Sequence, residues 1–524
     1  MGTQSLRSRT AVVDSGVAGK ATRHSRAYGR SAEQHPFSLH ERPVQPSARG
    51  QLPDGNANSE RVIDTSEAKR LERGLHMEAH QLLGKAVLAC LAAAALATTA
   101  NAQTDPGVRG GAPGGGLPFP DLTDNEHSFF EVGLEDFAEA EGVGEGMGPR
   151  FNLDGCAGCH LQPAVGGTSP AVNPQVGVAT AFGALNTVPS FITANGPVRE
   201  ARFKFNADGS RDGGVHALFT IRGRVDSTGN ASACTATQDD FATQLTRNNV
   251  IFRIPTPTFG AGLMEMIPDQ TLVSNVNASP NTKAAFGISG RLNRNGNDGT
   301  VSRFGWKAQN ESLLLFSGEA YNVEMGISNE LFQVERDENA TCQFASHPND
   351  VTNVDGPLPT DTISAIEKFA FFMRFLAPPT PSTNTPGGAN SIGRGRTLFS
   401  AVGCALCHTP TLRTGISTVA ALSNKDANLF SDLALHQMGP GLADNVLQGG
   451  ARADEFRTAP LWGLGQRIFF LHDGRTSDLR AAIAAHRSNG NSQFGSSEAN
   501  TSVNTFNSLS AGSRQDVLNF LRSL

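Results

Sequence analysis

The pentapeptide Cys-x-x-Cys-His occurs twice, at residues 156–160 and 404–408, and constrains this chain more than any other feature. In that spacing two thiols can form thioethers to the vinyl groups of one haem, while the adjacent imidazole is carried beneath the ring as proximal iron ligand. The expectation is two covalently bound c-type haems, one through Cys156, Cys159 and His160, the other through Cys404, Cys407 and His408, with both histidines as metal ligands. A zinc knuckle would have to pair the two distant copies, and a redox dithiol needs a strand-to-helix setting that neither copy shows. Each copy follows an aromatic residue and a glycine, Phe151 and Gly155 in one, Phe399 and Gly403 in the other. The copies lie much too far apart for a solenoid period, and suit two domains carrying the same cofactor.

With 524 residues the chain is long enough for its core to divide. Its 43 Lys plus Arg against 49 Asp plus Glu leave a net charge of -6, which argues against a nucleic-acid partner. Residues 1–76 carry scattered Arg, Ser, Pro and Gly with no apolar periodicity, and read as a disordered or mis-assigned extension. Residues 77–102 have the order of a signal peptide: Lys85, an apolar run to Ala97, then Ala100-Asn101-Ala102 as the cleavage site. A mature chain starting near Gln103, located in the periplasm, is expected. Val87-Leu88-Ala89-Cys90 resembles a lipoprotein box, but the apolar run continues beyond Cys90. No other segment suggests a membrane span. In an oxidising compartment Cys234 and Cys342, the cysteines left over in the mature chain, are best read as a disulfide.

Apolar spacing predicts a helix over 122–140 and another that Asp361 caps and Pro378-Pro379 stops. Residues 245–340 mix short apolar runs with Asn, Gly and Pro and read as loops with short elements rather than long helices. The stretch rich in Pro, Thr, Asn and Gly at 378–390 reads as a linker between an N-terminal haem domain, 103–377, and a C-terminal one, 391–524. The 57 Gly and 28 Pro argue for many loops. The expected fold is mainly α, two c-type cytochrome domains with long loop-rich insertions.

At this point the sequence resembles the di-haem cytochrome c peroxidase and MauG superfamily, nearest its di-haem oxidoreductase group. The likeness is carried by 151–167 around the first motif, Arg303-Phe304-Gly305-Trp306-Lys307-Ala308 and Glu324-Met325-Gly326. Nearer the C-terminus it is carried by 435–444, 456–463 and Phe469-Phe470-Leu471-His472-Asp473-Gly474-Arg475. The resemblance implies that the C-terminal haem receives electrons and the N-terminal haem meets the oxidant. It implies a tryptophan between the haems, Trp306, and a glutamate over the active one, Glu324, which would move a proton between the oxygens of bound peroxide. The bland alternatives are a core tryptophan and a surface or capping carboxylate. Met325 is an alternative iron ligand. A calcium ion between the domains is a further implication, with no ligands assigned.

In the relatives a distal ligand of the second haem, commonly Met, follows the His-Asp-Gly motif at a spacing that here falls on His486. Leu479, Ala482, Ile483 and His486 recur at helical spacing, so bis-His ligation by His408 and His486 is expected. Met438 is the competing ligand, and a surface histidine the bland alternative. His216, preceded by two glycines, is a candidate distal-pocket residue or removable sixth ligand of the first haem, against an ordinary packed histidine. Arg303 and Arg457, ahead of Arg253 and Arg467, are candidates to pair with haem propionates.

The leading expectation is a periplasmic peroxidase fed by a small electron-donor cytochrome and acting on hydrogen peroxide. The alternatives are oxidation of an organic or protein substrate as in MauG-like enzymes, use of dioxygen as in rubber oxygenases, and a non-enzymatic electron carrier.

Overall fold

Thr123 and Glu126 form a reciprocal capping box that starts the first described helix of the computed structural model, α1 (Asp124–Ala138). The structure describes residues 103–524, so the expected extension and signal peptide lie outside the described residues. Phe130 and Phe137 face inward from α1 and meet Phe372 of α3 (Ala365–Phe375) at 5.4 and 4.8 Å between ring centroids. Gly133 lets the two helices approach: a Cβ there would lie 2.3 Å from the Lys368 carbonyl oxygen. The start of α3 differs from the expectation. Asp361 lies in a separate short turn, and Asp350, brought from outside the helix, accepts the N–H groups of Ala365 and Ile366. The helix starts at Ala365 behind Ser364, which forms a capping box with Glu367, and Asp350 satisfies two further first-turn donors.

Between these comes α2 (Leu313–Met325), where loops were expected. Its polar residues, Ser317, Glu319, Asn322 and Glu324, are spread around the helix, so no polar stripe marks it, and Ser312 caps it through the Leu315 N–H. It ends at Gly326 with φ +78°, where a Cβ would lie 2.5 Å from the Gly148 carbonyl oxygen. Tyr321, Glu324 and Met325 follow at spacings of three and four, so all three share one face.

The sheets are small and antiparallel. β1 (Glu200–Phe203) lies between β2 (Val215–His216) and β3 (Val250–Arg253), with Glu200 opposite Arg253. Alternation along β1 puts Glu200 and Arg202 on one face and leaves Ala201 on the other. In the C-terminal half, β4 (Leu435–Gln437) pairs with β5 (Glu455–Arg457), and α4 (Ala389–Ala401) packs on α6 (Ala511–Ser523). Phe399 and Phe520 meet there at 5.5 Å. Short α5 (Leu479–Ala485), capped by Asp478, carries His486 at its C-terminal end.

The described fold is thus mainly helical with small sheets. The described residues fall in one compact unit. Its largest apolar cluster joins Phe130 and Phe372 to Leu429, Leu433 and Trp462, from both sides of 378–390. Among the described residues no helix is long and apolar enough to cross a membrane.

Candidate haem sites

The first Cys-x-x-Cys-His motif forms a single short helix, Cys156–Cys159, that turns His160 into a cavity with about 1170 Å³ of empty space, part of it open to solvent. His160 Nδ1 lies 3.0 Å from the Gly167 carbonyl oxygen, so it donates there, and the Thr256 carbonyl also lies near the ring. Burial pushes the imidazole down to about 4 and holds it neutral, the form that ligates metal. Burial also pushes the Cys156 thiol up to about 12, unlike the activated thiolate of a redox dithiol.

Opposing groups in this cavity are charged. Glu324, from α2, accepts a hydrogen bond from Asn152 Nδ2 at 2.8 Å and shares another with Glu200 of β1. Two buried carboxyls in hydrogen-bond contact hold a proton between them, since both cannot ionise cheaply. Burial and then the Glu200 charge hold Glu324 well above the usual carboxylate range. Burial pushes Glu200 the same way, but Arg202, bonded to it, and Arg253 outweigh that and keep it below its ordinary value. Sequence reasoning missed Glu200 and Arg202: a charged pair two residues apart in a strand gives no hint of a carboxylate arriving from α2. Met325 sits at the attachment edge, its sulfur 4.0 Å from Cys156 Sγ.

The second cavity, with about 1410 Å³ of empty space, is mostly apolar. His408 Nδ1 donates to the Phe430 carbonyl at 2.9 Å, and burial, reinforced by His486, pushes it down to about 4. His486 repeats that arrangement: Nδ1 donates to the Ala482 carbonyl at 2.8 Å, and burial lowers its pKa. Leu479, Ala482, Ile483 and His486 all line this cavity. Two neutral imidazoles, each fixed through Nδ1 with Nε2 left for metal, suit axial ligation from both sides of one ring. Met438 packs with Leu442 and Phe456 in the wall. His472 also lines the cavity, stacked on Phe456 at 4.3 Å, without the carbonyl contact that orients His486. Cys407 also lies with Asp432 and His436 in a group compact enough for a metal ion, but both nitrogens of His436 are engaged, by Asp432 at 2.9 Å and Glu498 at 2.8 Å.

Trp306 lines both cavities. Its Nε1 donates to the Ile254 carbonyl at 2.8 Å, and its ring meets His472 edge-on at 6.3 Å. Arg457 and Arg467 converge on the second cavity and on the smaller space beside Trp306. Both are buried, and burial pushes each down to about 10. Among the described residues neither has a carboxylate partner, which fits a pair awaiting the propionates of a haem. Arg253 lines the first cavity; it donates through Nη2 to Asp444 at 2.7 Å, and its buried Nε has no protein partner.

Two expected site residues lie elsewhere. His216 has Nδ1 2.8 Å from Asp239 and Nε2 2.9 Å from Asp212, and its ring stacks on Phe203 at 3.6 Å. With both nitrogens engaged and the ring outside the first cavity lining, it is a paired histidine rather than a distal ligand. Arg303 donates to the carbonyls of Val301, Met264, Glu265 and Ile267 and pairs with Asp269, so its guanidinium closes a loop instead of meeting a propionate. Cys234 and Cys342 form a disulfide.

Mainly helical packing around two cavities, each with a neutral histidine, defines a di-haem oxidoreductase. The chain belongs to the family described as "Di-haem oxidoreductase, putative peroxidase", whose model matches residues 202–524, a span that contains the second motif but not the first. Among proteins of curated function none matches. Three solved structures show weak likeness. Hydrazine synthase of Kuenenia stuttgartiensis is 17% identical with a TM-score of 0.20, over 32% of this chain and 56% of that one. The diheme peroxidase BthA of Burkholderia thailandensis is 15% identical with a TM-score of 0.26, over 42% and 65%. A MauG-like protein associated with microbial copper homeostasis is 12% identical with a TM-score of 0.32, over 80% and 93%. The chain thus spans less than two thirds of the first two. At these scores the likeness places no residue.

Proposed function

We propose that the chain is an exported, periplasmic di-haem peroxidase with two covalently attached c-type haems, in two haem-bearing halves. Electrons from a small donor cytochrome enter at the C-terminal haem, and hydrogen peroxide is reduced at the N-terminal one. The observation that carries this reading is the asymmetry of the two cavities. Two histidines each fixed through Nδ1 to a carbonyl, His408 and His486, line the second, whereas His160 is the one histidine in the described lining of the first, which it shares with the Glu324 and Glu200 carboxyl pair.

In the first cavity, a haem held by Cys156, Cys159 and His160 would supply redox-active iron with one side open to an oxidant. His160, oriented by the Gly167 carbonyl, would hold the metal. Reduction of one peroxide to two waters consumes two protons and two electrons. Glu324 can give its proton to the oxygen that leaves, Glu200, the ionised member of the pair, can take the proton from the oxygen that binds, and Arg202 balances the remaining charge. Trp306, in the wall of both cavities, lies on the route the electrons take. Arg457 and Arg467 would anchor the propionates of the second haem.

Stopped-flow spectroscopy of protein matured with both haems tests this. Mixed-valence and fully reduced samples are mixed separately with peroxide and with dioxygen. Rapid reoxidation by peroxide is expected. A stable dioxygen complex with little peroxide turnover would make the protein an oxygenase, and inertness to both, with two low-spin haems throughout, an electron carrier.

A further inference from the structure

The peroxide chemistry leaves one group in the first cavity without a task. Tyr321 lines the cavity one turn before Glu324, is 5% exposed, and packs edge-on against Phe369 at 5.0 Å. Its hydroxyl donates to Glu141 Oε1 at 2.6 Å, within the range of a charge-assisted O–H to carboxylate bond. Both groups lie close enough to the Cys156 thiol to influence its ionisation or be influenced by it. Glu141 is itself buried. Burial, helped less by the neighbouring Glu139, Glu145 and Asp136, outweighs the Tyr321 bond, the second-largest effect, and raises its carboxyl to about 7, so it is an unusually strong base for a carboxylate.

A phenol gives up an electron far more readily when its proton leaves at the same time, and a carboxylate at hydrogen-bond distance provides that exit. Trp306 differs: its N–H points at a backbone carbonyl, which cannot accept a proton. A hole on Trp306 stays charged and moves on, whereas one on Tyr321 can be neutralised in place and shielded from water by Phe369.

We propose that Tyr321 and Glu141 form a proton-coupled electron-donating site beside the first haem. After peroxide has oxidised that haem, one electron passes to it from the phenol, the Tyr321 O–H bond breaks, and the proton bonds to Glu141 Oε1. The products are a neutral tyrosyl radical and a protonated Glu141, and a later electron from the donor reverses the step. The pair thus holds an oxidising equivalent when electrons arrive slower than peroxide. The proposal rests on the peroxidase reading and goes beyond it.

The chain has only two tyrosines, and Tyr28 precedes the expected mature start, which leaves Tyr321 alone. Mature protein carrying both haems is prepared with ordinary and with ring-deuterated tyrosine, mixed with stoichiometric peroxide, frozen, and read by electron paramagnetic resonance beside its optical spectrum. An organic radical signal that narrows on deuteration, vanishes in Tyr321→Phe and falls several-fold in Glu141→Gln is expected. Haem oxidation without a deuteration-sensitive radical overturns this proposal and leaves the peroxidase reading standing. A signal that persists in Tyr321→Phe also overturns it. An optical spectrum untouched by peroxide overturns both. The deuterated wild-type sample decides the matter even if a variant loses its haem.

Discussion

The two cavities begin from the same pentapeptide and diverge in what faces it. His160 and His408 are each buried, neutral and fixed through Nδ1 to a carbonyl, so the proximal sides are near copies. Opposite His160 stand Glu324, Glu200 and Arg202; opposite His408 stands His486 in an otherwise mostly apolar chamber. A second imidazole closes the coordination of an iron and suits electron transfer with little rearrangement. A carboxyl pair that holds a proton leaves the iron approachable and suits oxygen chemistry. On the proposed reading, the division of labour rests with residues that reach each cavity from distant parts of the chain.

Glu324→Gln should break this contrast most severely. The amide nearly preserves size but can neither take nor return the proton, so the peroxide step should slow about 10²–10⁴-fold. Both haems should stay attached by mass, with the resting spectrum little changed. A rate within a few-fold of the wild type would move the proton chemistry to another group.

His486→Met acts on the other side. The softer thioether should raise the potential of the second haem and replace a bis-imidazole electron paramagnetic resonance signal with a His/Met one. Met438→Ala should leave the ligation intact, because that side chain belongs to the wall built by Leu442 and Phe456. Lost ligation in the alanine variant, with an unchanged spectrum in the first, would make Met438 the ligand.

The parts legible in the sequence were those whose signal is local. The pentapeptides, the helical spacing from Leu479 to His486 and the apolar spacing over 122–140 each depend on residues within a turn or two, and the structure places a helix at each. What was not legible depends on register between distant segments. Glu200 meets Glu324 only because β1 is paired opposite Arg253 and α2 ends beside it. The helix α2 escaped notice because its polar residues, Ser317, Glu319, Asn322 and Glu324, are spread around it with no polar stripe, and α3 starts at a capping box of Ser364 and Glu367, reinforced by Asp350, rather than at Asp361. Arg303 lies in a family-like motif yet closes a loop, whereas Arg467, ranked below it, is one of the two arginines that face the second cavity unpaired.

His216→Gln should have the smallest effect at the haems and thereby sharpens the contrast between a histidine that faces a cavity and one that does not. Both haem spectra and the peroxide rate should be unchanged within about twofold, which is within ~0.4 kcal/mol of barrier. The change should appear in stability. Burial opposes charging of His216, but the carboxylates of Asp239 and Asp212 outweigh it and raise its pKa above the ordinary 6.5. A histidine whose folded pKa is raised contributes stability that is full below pH 6.5 and is lost as pH rises through the higher folded value. The variant should therefore lose about 1–2 kcal/mol on the acid side, for two half-exposed charge-assisted bonds, and approach the wild type in alkali. Denaturant midpoints measured across that pH window check the sign. A shifted haem spectrum in the same variant would return His216 to the first cavity.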